Sequence, residues 1–137
     1  MIVVDTNVIG CLFLSSEQSD QAEQALIKDF NWAAPILWRS ELRNVLATYM
    51  NQSFIKLEDA IQIISEAEQM MKESEYEVAS DQVLRLAEQS GCSAYDCEFV
   101  ALAIDLSVPL VTSDKKLLAH FPEVSISLSD FISEQRK

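Results

Sequence analysis

The chain opens on Ile2-Val3-Val4, a short apolar run of β-branched residues, the pattern of a strand buried on both faces of a parallel sheet. The polar triplet Asp5-Thr6-Asn7 ends it, and helical spacing follows through Val8, Leu12 and Phe13. A polar break from Ser15 to Asp20 leads into a second helix with Ala22, Ala25, Leu26 and Phe30 inward. Trp32-Ala33-Ala34-Pro35 reads as a second short strand. From Ile36 to about Gln52, and again from Leu57 to about Met71, the pattern is helical. In the second stretch Leu57, Ala60, Ile61, Ile64, Ala67 and Met71 fall on one stripe. The short connection between the two implies an antiparallel helical hairpin.

Tyr76-Glu77-Val78 is a third candidate strand, and a helix from about Asp81 to Gln89 stops at Gly91, a residue suited to a left-handed cap. A new helix begins beside Ser93. Its stretch Phe99-Val100-Ala101-Leu102-Ala103-Ile104 is apolar almost all round, which places it at the centre of the molecule. Pro109-Leu110-Val111 makes a buried strand ending at Thr112-Ser113-Asp114. A short helix through Leu117-Leu118, a strand near Val124 to Ile126 and a last turn around Phe131 complete the pattern. Strands alternating with helices predict an α/β fold, with a short, mostly parallel sheet and helices on both faces.

Composition bounds this picture. A length of 137 residues with 49% hydrophobic content suits one domain over 1–137, and 2 glycines and 3 prolines leave no flexible linker. A charge at Asp5 comes too early for a signal peptide, and no apolar run approaches the ~20 residues that span a bilayer, so a cytoplasmic protein is expected. Cys11, Cys92 and Cys97 lack metal-knuckle spacing and are expected as free thiols. His120 stands alone, outside any ligand spacing. Against 22 acidic side chains stand 10 basic ones, a net charge of −12 that repels a polyanion at long range. Nucleic acid would have to be held locally, in a pocket where metal ions invert the field.

Four carboxylates give that pocket a chemistry. Asp5 and Asp114 each follow an apolar strand directly and precede a helix, the position from which loops deliver side chains to a crevice in open parallel sheets. Asp96 lies three residues after Ser93, near a helix amino end. Glu41 falls beside Leu37, Trp38 and Val45 on a helical wheel, at the edge of the apolar face. Each has a plainer reading. Asp5 and Asp114 suit helix N-caps, Asp96 with Ser93 suits a capping box, and Glu41 could be a solvated acid near Arg39 or Arg43. As a set, four converging carboxylates repel one another and persist only if cations neutralise them. Oxygen-only ligands select hard ions, Mg²⁺ or Mn²⁺, which activate water for attack on a phosphodiester.

At these residues the chain resembles a known family. Asp5-Thr6-Asn7, Ser40-Glu41-Leu42, Ser93-Ala94-Tyr95-Asp96 and Leu110-Val111-Thr112-Ser113-Asp114 are similar, in order and spacing, to the four signature regions of PIN domains, and in particular of VapC-type toxins. The resemblance implies a PIN-like three-layer α/β/α fold and a Mg²⁺-dependent endoribonuclease, usually a homodimer inhibited by a cognate antitoxin. It also implies that Thr6, Asn7 and Thr112 hydrogen-bond the carboxylate cluster or its water. Lys115 and Lys116 are the best-placed local cations for the substrate phosphate, whereas Arg39 and Arg43 lie on a face turned away from Glu41.

Two rivals remain. Haloacid-type phosphohydrolases and phospho-receivers also place Asp, Thr and Lys at strand ends, but the first wants Asp-x-Asp and the second an acidic pair where this chain has Asp5-Thr6-Asn7. A catalytically silent PIN-like module, acting through its dimer and partner surface, is the alternative from another class.

Overall fold

The computed structural model describes residues 1–134; the expected domain runs to Lys137, and 135–137 lie outside the described residues. Its sheet is wholly parallel, in the order β3-β2-β1-β4-β5, built from β1 (Ile2–Val4), β2 (Trp32–Pro35), β3 (Glu75–Tyr76), β4 (Leu110–Thr112) and β5 (Ser125–Ser127). β1 and β4 are buried along their full length, as an apolar run covered on both faces requires. Pro35 has no N–H to offer the next rung, so the β1–β2 ladder stops with β1.

Helices α1 (Thr6–Phe13), α2 (Ser19–Lys28), α3 (Trp38–Asn51) and α4 (Leu57–Met71) fill the two crossovers before β3. After it come α5 (Ser80–Ser90), α6 (Ala94–Leu106), α7 (Lys115–His120) and α8 (Leu128–Ser133). α6 packs on β1, β2 and β4 with α5 behind it, while α1 and α4 meet β4 and β2 and α3 packs on both of them. The result is the expected α/β/α arrangement. α6 carries the most enclosed stretch, Phe99 to Ala103. Ser93 caps its start, accepting the Asp96 N–H at 3.1 Å. Gly91, at φ 75°, closes α5 in the left-handed conformation foreseen for it.

Several expectations need correction. Phe30 is 84% exposed rather than inward, because the backbone turns extended at Asp29, past the last turn of α2. Leu57 and Ile61 are also exposed, so α4 buries only Ala60, Ala67 and Met71 of its apolar stripe. α3 starts at Trp38 after a turn at Ile36 and Leu37, two residues later than its periodicity suggests. β3 covers Glu75–Tyr76 rather than Tyr76 to Val78, since pairing with Ala34 and Pro35 sets its register. β5 is shifted one residue onward, to Ser125–Ser127. All three cysteines are free thiols, and His120 is exposed at the end of α7.

Candidate active site

Strand order reverses direction between β1 and β4, so the carboxyl ends of these neighbours open a crevice at the topological switch point. Asp5 leaves β1 there, and Asp114 follows β4 by two residues. Asp5 is 7% exposed. One of its oxygens accepts the Val8 N–H at 3.0 Å and caps α1; the other accepts the hydroxyl of buried Thr112. Thr112 Oγ1 in turn accepts the Asp114 N–H at 3.0 Å, tying the two strand ends together.

Asp114 caps α7 through Oδ1, which accepts the N–H groups of Lys116 at 2.8 Å and Leu117 at 3.4 Å. Glu41 reaches in from the first turn of α3 and accepts the Thr6 hydroxyl at 2.7 Å. Asp96 comes from the first turn of α6, and the reciprocal half of a capping box, Ser93 N–H to its carboxylate, is not formed among the described residues. Capping and clustering therefore coexist: Asp114 spends one oxygen on its helix and still faces the crevice. Asp5, Glu41, Asp96 and Asp114 line one cavity of about 560 Å³.

Burial dominates their electrostatics, and mutual repulsion adds to it. Burial pushes Asp5 from its ordinary 3.8 up to about 6; the Thr112 and Val8 hydrogen bonds oppose this, and the charges of Asp114 and Glu41 add to it. Glu41 is raised by burial against the Thr6 hydrogen bond, with Asp96 adding to the rise. Asp96 is raised by burial and then by Asp114, while Ser93 and Lys116 hold it down in part. The acids thus form a ring of coupled charges around the cavity.

Comparison with known proteins decides the family, for the PIN domain profile matches residues 2–124. The chain belongs to the PIN domain family. It is 30% identical over 125 residues to Ribonuclease VapC3 of Pyrobaculum aerophilum, covering 88% of this chain and 95% of that one. The crystal structure of PAE2754 from Pyrobaculum aerophilum is similar in fold, with a TM-score of 0.77 at 21% identity over 96% of this chain and 93% of that one.

In this PIN domain no three of the described Asp, Glu, His or Cys side chains stand close enough to enclose an ion by themselves. Every donor in the cavity's acid ring is a hard oxygen, which suits a divalent ion that keeps several waters and takes one or two carboxylates. The 560 Å³ cavity has room for such a hydrated ion. The donor set fits.

Of the supporting residues, Thr6 and Thr112 are buried and hydrogen-bonded to Glu41 and Asp5, whereas Asn7 is exposed on the cavity wall. Lys115 and Lys116 are exposed and do not line the cavity, although the charge of Lys116 reaches Asp96. Arg39 binds Glu75 at 2.6 Å and Glu68 at 2.9 Å, and Arg43 also approaches Glu68, so neither arginine neutralises Glu41. Sequence reasoning assigned no role to Ser40, Asn44 or Tyr95, which also line the cavity. Their only signal was adjacency: Ser40 and Tyr95 precede a site carboxylate, and Asn44 lies three residues after Glu41 on the same helical face. Glu98 is a further acid whose pKa burial raises, with Glu41 contributing.

Proposed function

We propose that this PIN domain is a Mg²⁺-dependent endoribonuclease, with Mn²⁺ able to substitute, and that it acts in the cytoplasm as the homodimeric toxin of a VapBC-type pair. The observation that carries the reading is the convergence of Asp5, Glu41, Asp96 and Asp114 on one cavity at the switch point of the sheet. RNA as the substrate is supported by the relative named Ribonuclease VapC3. A cognate antitoxin is the expected partner.

A divalent ion held by these carboxylates would supply Lewis-acid polarisation of the phosphate and a water of lowered pKa. The chain's own residues set the geometry. Thr112 and the Val8 N–H fix both oxygens of Asp5, so that carboxylate cannot rotate away. Thr6 anchors one oxygen of Glu41 and leaves the other for a ligand. The helix caps at Asp5 and Asp114 place both acids rigidly, which matters where a misplacement of ~1 Å can cost ~10²-fold in rate. Lys116, whose charge reaches Asp96 from outside the cavity lining, and its neighbour Lys115 are the cations this reading assigns to the substrate phosphate.

The absence of a closed three-carboxylate group among the described residues favours a second reading, a catalytically silent module acting through its partner surface. Incubating purified protein with total cellular RNA, with and without Mg²⁺, and mapping the cut ends tests the first. Metal-dependent ends that vanish in Asp5→Asn support hydrolysis; intact RNA together with no Mg²⁺ uptake by calorimetry leaves the silent module.

A further inference from the structure

We propose that Tyr95 is the platform on which an unpaired base beside the scissile phosphate stacks; this rests on the ribonuclease reading above. Tyr95 is the residue before Asp96, in the first turn of α6, and lines the same cavity as the four carboxylates. It is 63% exposed. Among the described residues its ring meets no other ring or cation, and its hydroxyl has no hydrogen bond. The other two tyrosines are half-buried, Tyr49 edge-on against Phe54 and Tyr76 in β3.

Charge makes this bare ring informative. RNA affinity drawn from phosphate contacts needs lysines and arginines to displace counterions. This chain has a net charge of −12, Arg39 and Arg43 are engaged by Glu68 and Glu75, and Arg85 pairs with Asp81. Among the described residues, Lys116 is the cation whose charge lowers a carboxylate of the site, that of Asp96. Stacking of a base on an aromatic face needs no positive charge and works for every base. Leu37, Val45 and Phe99 line the cavity as well, so a base entering beside Tyr95 meets apolar surface rather than carboxylates alone. A duplex keeps its base faces covered and cannot use such a platform.

The test compares wild type with Tyr95→Phe, Tyr95→Leu and Tyr95→Ala on a 12-nucleotide RNA carrying one 2-aminopurine, alone and annealed to its complement. Because the side chain is exposed, these variants should fold. Ala and Leu should raise KM roughly ten-fold, well beyond their effect on kcat, while Phe stays within about two-fold of wild type. In the binding phase of a stopped-flow trace, 2-aminopurine fluorescence should be quenched by wild type and Phe and not by Ala or Leu. The annealed duplex should be neither cut nor bound. Equal KM for Tyr and Ala, a Phe variant as impaired as Ala, or equal cleavage of duplex overturns the proposal. A wild type that cuts no RNA but quenches 2-aminopurine through Tyr95 removes the ribonuclease reading and leaves the stack standing.

Discussion

Asp5 carries the largest resolved shift in the site, and its consequence depends on whether cations are present. A pKa of about 6 in the folded chain against 3.8 ordinarily means that the folded state holds this proton more tightly than the unfolded one. Stability from this group is therefore full below pH 3.8 and is lost as pH rises through 6, by on the order of 3 kcal/mol in metal-free protein. The loss belongs to the coupled set rather than to Asp5 alone. Asp5→Asn should flatten that slope while still capping α1, because an asparagine oxygen can accept the Val8 N–H. Its nuclease activity should fall by orders of magnitude. Urea denaturation in chelator from pH 4 to 7 checks the first part; an unchanged slope in the variant would show that Asp5 is not the buried proton's seat. Adding Mg²⁺ to wild type at pH 6 should restore stability and release protons, read by calorimetry in buffers of different ionisation enthalpy.

At the scale of elements, α3, α4 and β3 are joined by one charged knot. Arg39 of α3 grips Glu75 of β3 with two nitrogens, at 2.6 and 2.7 Å, and Glu68 of α4 at 2.9 Å, while Trp38 donates its indole N–H to Glu75 at 2.8 Å. The Arg39 hydrogen bond holds the Glu75 carboxyl below its ordinary value, so this contribution is present above pH 4.5 and lost as acid protonates Glu75. Arg39→Ala should cost about 1–2 kcal/mol at pH 7, discounted for partial exposure, and less near pH 3. A urea midpoint indifferent to the substitution would show that packing alone fixes β3. The elements themselves were largely legible, because three- and four-residue apolar spacing and strong stop signals such as Gly91 report helices directly. Burial was less so. Leu57 and Ile61 share the periodic stripe of Ala60 and Met71, and only the width of the α4 contact decides which of them water reaches. β3 was misplaced because its register answers to β2, not to its own side chains. In the site, Asp5 and Asp114 could be read from strand ends, whereas Glu41 rested on the weaker signal of its place at the edge of an apolar helix face. Asn44 and Tyr95 are exposed, and their side chains make no hydrogen bond among the described residues, so adjacency to a site carboxylate was the one trace they left in the sequence.

For the molecule as a whole, the net charge of −12 shapes every encounter. With about one phosphate neutralised by the protein, raising monovalent salt from about 50 to about 200 mM should change KM for RNA by less than about three-fold. A steep loss would reveal a basic surface the sequence does not suggest. The same charge favours a cationic inhibitor, and the antitoxin proposed as its partner is expected to place an arginine against the carboxylates, forked across two of them. Raising Mg²⁺ and the Asp96→Asn substitution should each weaken that complex; an affinity indifferent to both puts the partner elsewhere. The sheet order adds a matter of timing. β1 precedes β4 by three strands in chain order, yet the two are neighbours in the sheet, and Asp5 takes its second hydrogen bond from Thr112, 107 residues later. Such long-range closure is slow compared with local helix formation. During synthesis the growing chain carries Asp5 and Glu41 long before Thr112 and Asp114 emerge, so it cannot assemble the cavity until β4 has been made. On the proposed ribonuclease reading, a chain built in this order spares the message that encodes it until β4 has been made and has paired with β1.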